Sequence, residues 1–159
     1  MTVVDWGELC EDITKWIRKY ADDNGISALV VGISGGIDSA VTSTLCAKSG
    51  LETIAVNMPI HQDSSQHNLA KRHIEWLENG WSNVKSHLVD LTESYDSYVE
   101  GALNGLEITE ISLANTKARL RMTTLYAIAG SRNGIVVGTG NKVEDFGVGF
   151  YTKYGDGGV

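Results

Sequence analysis

Apolar residues at Trp6, Leu9, Cys10, Ile13, Trp16, Ile17 and Tyr20 recur at three- and four-residue steps. That period predicts an amphipathic helix with one face turned to a core, ending near Asn24-Gly25. The pattern then changes. "ALVVGI" (28–33) is a continuous apolar run rich in β-branched residues, as expected of a strand covered on both faces. A helical stretch follows from Ser39 to Ser49 with Gly50 as its stop, then a strand at 51–58 closed by Pro59. A polar helix is predicted at 63–80 with Asp63 or Ser64 as N-cap, a strand at 84–91, helices around 93–104 and 111–130, and a strand at 134–140. Strands alternate with helices and no linker or repeat interrupts them. The expectation is one α/β domain over 1–159, a doubly wound parallel sheet joined by right-handed crossovers.

Composition narrows the function classes. With 42% hydrophobic residues the chain can build a core, and it contains no apolar run long enough to span a membrane. A net charge of −7 argues against nucleic acid held on a broad basic face. Cys10 and Cys46 are far apart and form no metal-binding spacing, so two buried thiols in a reducing, cytoplasmic setting are expected. His67 and His73, six apart, do not share a helix face, and His61 and His87 stand alone. Solvated or hydrogen-bonded imidazoles are the expectation for all four.

The chain leaves its first strand through "GISGGIDSA" (32–40). In an open α/β sheet, ligands bind beyond the carboxyl ends of the strands, where strand order reverses. Glycines at 35 and 36 permit positive φ and close backbone approach, and the amides that follow open a helix, where the dipole favours an anion. Ser34 and Ser39 add hydroxyl donors. Phosphate oxygens suit such a loop. It lacks the lysine of a Walker A loop and the spacing of a dinucleotide fingerprint. Asp38 would repel phosphate unless a cation such as magnesium stood between them. A tight turn capped by an acid is the plainer alternative.

"SGGIDSA" in this position resembles the PP-loop of the ATP pyrophosphatase superfamily, whose fold is the Rossmann-like adenine nucleotide alpha hydrolase type. "LANTKARLRMTTLYAIAG" (113–130) and "VVGTGNKVEDFGVGFYTKYGDGG" (136–158) resemble the NAD synthetases, in particular the ammonia-using type. The resemblance implies adenylation of the carboxylate of deamido-NAD by ATP, then attack by ammonia to give NAD, AMP and pyrophosphate. It implies ATP and pyrophosphate contacts at Gly32, Ile33, Ser34, Gly35, Gly36, Ile37, Asp38, Ser39 and Thr139. It also implies deamido-NAD contacts at Arg119 and Lys153, and magnesium held by Asp38 and Glu144. No side chain is expected to act as nucleophile or general base. Read from the residues alone, Lys117, Arg119 and Arg121 fan around one helix at two-residue steps. At least one of them then faces the ligand, and a solvated basic surface is the alternative for Lys117 and Arg121.

Glutamine-using members carry an amidase domain in front, so for a chain that opens on the synthetase itself the resemblance implies free ammonia or a separate donor. Family members also continue beyond "YGDGGV", and on that comparison a C-terminally truncated form is expected. The family is homodimeric, and the apolar face of the first helix or the segment around Leu125 and Tyr126 offers an interface. Two other readings stand beside this one: a catalytically silent nucleotide-binding fragment, and another PP-loop ligase such as GMP synthetase.

Overall fold

A computed structural model describes residues 4–149 and 151–155; for Ser64 and His67 it describes the backbone alone. The expectation for the His67 imidazole, and Phe150 and 156–158 of the last motif, lie outside the described residues. The elements in chain order are α1 (Trp6–Asp23), β1 (Ala28–Gly32), α2 (Ile37–Lys48), β2 (Glu52–Asn57), α3 (Ser64–Gly80), β3 (Val84–Leu88), α4 (Thr92–Ser97), α5 (Glu110–Ser131) and β4 (Gly134–Val136). Two π-helical turns, Tyr98–Ala102 and Val143–Val148, follow α4 and β4.

The strands form one parallel sheet in the order β3-β2-β1-β4. Chain order therefore runs outward from β1 to β3 and then jumps back to the far side of β1. The reversal point lies between β1 and β4, beside the loop that the sequence singles out. Alternation along β1 explains its unbroken apolar run. Leu29 and Val31 join one core with Ala21, Cys46, Ala47, Ala55, Ala70 and Leu77. Ala28 and Val30 join a second core with Ile54, Val56, Tyr95, Leu125 and Ala129 on the opposite face. A strand with a core on each side has no face left for polar residues.

Local signals set most boundaries. Asp5 caps α1 by accepting from the amides of Gly7 and Glu8, and Gly25 at φ +63° follows its end. Asp63, rather than Ser64, caps α3 by accepting from the Ser65 amide. Thr109 caps α5, one residue before the helix begins. Gly50 at φ +76° follows α2 as expected.

Several expectations need correction. The stripe on α1 is mostly exposed: Trp6, Leu9, Trp16 and Tyr20 face outward, Ile17 packs partly on the core, and Ala21 is buried. The helix lies against α2 at the margin of its layer, and its apolar stripe is wider than that contact. The strand at 84–91 ends at Leu88, although Val89 and Leu91 still donate to the carbonyls of Asn57 and Pro59. β4 is only three residues long, its pairing extended by the Val137 amide on the Val30 carbonyl. The stretch around 93–104 is a short α-helix followed by a π-helical turn. Leu125 is buried in the second core and so cannot serve an interface, whereas Tyr126 is exposed. Cys10 is half-buried; Cys46 is buried. Among the described residues no helix is long and apolar enough to cross a membrane.

Candidate functional site

The segment after β1 is held from below by β2. The Ile33 amide donates to the Val56 carbonyl at 2.8 Å, and the buried Asn57 side chain donates to the Ile33 carbonyl at 2.9 Å. One residue on, Gln62 Nε2 donates to the Ser34 carbonyl at 3.1 Å. The main-chain acceptors of the loop are thereby turned into the protein. Gly35 takes φ +91°, and a Cβ there would stand 2.6 Å from the Gln66 carbonyl oxygen. Gly36 has an ordinary φ of −84°, so positive φ is needed at one glycine of the pair and not at both.

Two serines brace the turn. Ser34 Oγ accepts from the Gly36 amide, lies 3.1 Å from Ser39 Oγ, and the Ser39 hydroxyl donates to the Gly36 carbonyl. Ser39 is 2% exposed, so its hydroxyl shapes the loop. Behind it, Ser43 Oγ donates to the Ser39 carbonyl at 2.7 Å and lies 2.8 Å from His73 Nε2. With the Ser43 proton so used, the imidazole donates from Nε2. Burial lowers the His73 pKa, which favours that neutral form.

Gly36 stands at the N-cap of α2, and no side chain caps the first turn of the helix. The amides there have no intrahelical acceptor, and they open toward the carboxyl edge of the sheet. Asp38 sits half-buried in that first turn and Ile37 is exposed. A cleft of about 530 Å³ lies alongside, between the ends of β1 and β4. Gly32, Ile33, Ser34, Gly36 and Thr139 line it, together with Met58, Gln62, Met122, Leu125 and Arg121. Its floor is apolar and its rim polar, the ordinary make-up of a small-molecule site.

The three cations of α5 part company. Lys117 Nζ lies 5.1 Å over the Tyr95 ring. Arg119 donates from Nε to the Lys153 carbonyl at 3.1 Å and from Nη2 to Thr152 Oγ1 at 2.8 Å. Arg121 enters the cleft. Arg119 and Lys153 are thus brought together, with the Lys153 ammonium 4.9 Å over the Tyr154 ring. Gly155 closes this segment onto α5, where a Cβ would meet Ala118 Cβ at 2.9 Å.

Glu144 lies exposed in the π-helical turn after β4, whose first amides are capped by Asn141 Oδ1. Neither Asp38 nor Glu144 lines the cleft, and among the described residues no three His, Cys, Asp or Glu side chains cluster as a metal site. The loops that carry the two carboxylates follow adjacent strands, β1 and β4. Sequence reasoning left out Asn57 and the stretch 58–66, which buttress the loop. The signal was present: the buried strand ends on the polar Asn57, and a polar run, HQDSSQ (61–66), follows three residues later at the carboxyl edge of the sheet.

A family model described as NAD synthase matches residues 9–159. The chain belongs to the NAD synthase family. It is 39% identical to an NH(3)-dependent NAD(+) synthetase of Carboxydothermus hydrogenoformans, over 98% of this chain and 63% of that protein. It is 41% identical to another from Alkaliphilus metalliredigens, over 94% of this chain and 62% of that protein. Among solved structures, NMN synthetase from Francisella tularensis superposes with a TM-score of 0.88 at 30% identity, over 98% of this chain and 63% of that one. The chain thus spans under two thirds of the length of these relatives. Within the NAD synthase family, the loop after β1, Thr139 and the Arg119–Lys153 pair fall in the matched region.

Proposed function

We propose that this chain carries the ATP site, and part of the second substrate site, of a ligase that amidates deamido-NAD with ammonia. The observation that carries the reading is the uncapped N-terminus of α2, fed by the Ser34–Ser39 turn and opening at the strand-order reversal of an NAD synthase family sheet.

In the first step a carboxylate oxygen of deamido-NAD attacks the α-phosphorus of ATP and the bond to pyrophosphate breaks. The amides of the first turn of α2, which no side chain caps, bind the negative charge that gathers on the departing pyrophosphate. Thr139, on the cleft wall opposite, holds the nucleotide. Arg119 and Lys153 hold deamido-NAD, so that its carboxylate meets phosphorus in line. In the second step ammonia attacks the acyl carbon, AMP leaves with the bonding pair, and a proton is lost from nitrogen. A carboxylate alone has no adequate leaving group, and the adenylate supplies one. No protein nucleophile is required.

Asp38 and Glu144 suit magnesium, which is commonly held by one or two carboxylates with phosphate and water completing its shell. When bound, it would screen phosphate charge. Two unpaired thiols agree with a cytoplasmic setting. The exposed Trp6, Leu9, Trp16 and Tyr20 on α1 suit a homodimer contact, and light scattering at micromolar protein would read a doubled mass.

Exchange of labelled pyrophosphate into ATP tests the first step alone. The account expects exchange that needs deamido-NAD and proceeds without ammonium. Exchange that ignores deamido-NAD would contradict it. The likeness to the Francisella protein, named for NMN, makes the deamidated mononucleotide the alternative substrate. Exchange supported by the mononucleotide in place of the dinucleotide would reassign the substrate.

A further inference from the structure

Leu125 and Ala129 of α5 lie in the core beneath the sheet. Arg121 stands one turn before Leu125, on the same side of the helix and at the level where the strands end. A Cβ added at Gly32, the last residue of β1, would touch both Leu125 Cδ1 and Met58 Cε at 3.4 Å, which fixes that level. Arg121 Nε donates to the Met58 carbonyl at 2.9 Å, just beyond β2, and the half-buried side chain lines the cleft. One N–H of the fork is therefore anchored on main chain, leaving the two Nη groups.

Among the described residues no carboxylate lies within ion-pair distance of Arg121. The other charged or titratable groups lining the cleft are engaged elsewhere: Asp63 accepts from the Ser65 amide at the head of α3, and His61 Nε2 lies 2.7 Å from Asp96 Oδ1. Burial pulls the Arg121 guanidinium below its ordinary pKa, yet arginine stays protonated at neutral pH. A partly buried cation without a partner is unfavourable, and an entering anion removes the deficit. The chain has acids in excess, with 20 against 13 Lys and Arg, but among the described residues none is set against this fork.

We infer that Arg121 is a substrate ligand: held on Met58 by Nε, it presents its Nη edge to the paired oxygens of an anionic group bound in the cleft. Its neighbours on α5 are committed, Lys117 to an aromatic ring and Arg119 to the segment at 152–153. The identity of the anion rests on the ligase reading above. It is either the phosphate chain of ATP or the carboxylate or pyrophosphate of deamido-NAD, two sources of one oxyanion chemistry.

Titration calorimetry of the purified chain, R121Q and R121K with inorganic pyrophosphate, Mg-ATP and deamido-NAD tests this. R121Q should weaken the ligand that Arg121 holds by about ten- to a hundredfold, the usual effect of losing charge-assisted hydrogen bonds. R121K keeps the charge without the planar fork and should lose less. Weakening toward pyrophosphate and ATP assigns the fork to the phosphate chain; weakening toward deamido-NAD alone assigns it to the dinucleotide. Either supports the inference. If Arg121 served only to tie α5 to Met58, both variants would unfold at lower urea while the folded fraction bound all three ligands as the parent does. That result overturns the inference and leaves the ATP reading standing. A folded parent that binds none of the three overturns both.

Discussion

The α-carbon of Gly35 approaches Gln66 so closely that a side chain on it would stand 2.6 Å from the Gln66 carbonyl oxygen. The loop after β1 and the first turns of α3 therefore meet main chain to main chain. Gly35→Ala must both accept φ +91° and push α3 away. The backbone conformation alone costs about 1–3 kcal/mol for a residue with a Cβ. The expected outcome is a lower urea midpoint together with lost ATP affinity. Gly36→Ala should be far milder, because Gly36 has negative φ and the nearest atom to an added Cβ is the Ser34 side-chain oxygen at 3.3 Å rather than main chain.

Arg119→Ala removes two hydrogen bonds that tie Thr152 and Lys153 to α5. Neither Arg119 nor Lys153 lines the cleft beside the glycine loop. Affinity for deamido-NAD should fall about tenfold or more, the weight of one to two charged hydrogen bonds, while ATP affinity holds. Parallel titrations of the two substrates check this, and equal losses for both would contradict it.

Burial pushes the Cys46 thiol up to about 12. In the native chain at pH 8 it stays protonated and out of contact with solvent, whereas Cys10 is half-buried. A thiol-reactive chromogenic disulfide should therefore titrate one cysteine quickly, and the second only on unfolding. Cys10→Ser should abolish the fast phase.

His73 gives the fold a pH dependence. Its imidazole stacks on Trp76 at 5.6 Å and bonds Ser43, and desolvation lowers its pKa from 6.5. As pH falls below 6.5 the unfolded chain takes up the proton first, so stability falls with pH in that window and levels off below the folded pKa. Above 6.5 the site is neutral in both states and contributes no slope. Urea midpoints at pH 5.5 and 7.5 should differ less in His73→Gln than in the parent.

Much of this was legible from residue order. The strand at 28–33 announced itself because both of its faces are buried, and the glycine-serine exit gave the loop its place at the sheet edge. The outer elements were harder to read. On α1 the period showed a stripe but not its neighbour, so residues as apolar as Trp6 and Trp16 were assigned inward and stand outside. Spacing placed Lys117, Arg119 and Arg121 around one helix, yet which of them enters the cleft depends on where the helix meets the strand ends. That is a tertiary fact, fixed here by Leu125 beneath Gly32 and by Met58. The support from Asn57 and Gln62 to the loop likewise joins segments more than twenty residues apart.

The central claim is that the loop after β1 serves ATP-driven amidation of deamido-NAD. NAD formation by the purified chain with magnesium, ATP, deamido-NAD and ammonium tests it most directly. The account predicts product that depends on all four and disappears in Asp38→Ala with the fold intact. Product that persists undiminished in Asp38→Ala, or product that forms without ATP, would contradict it.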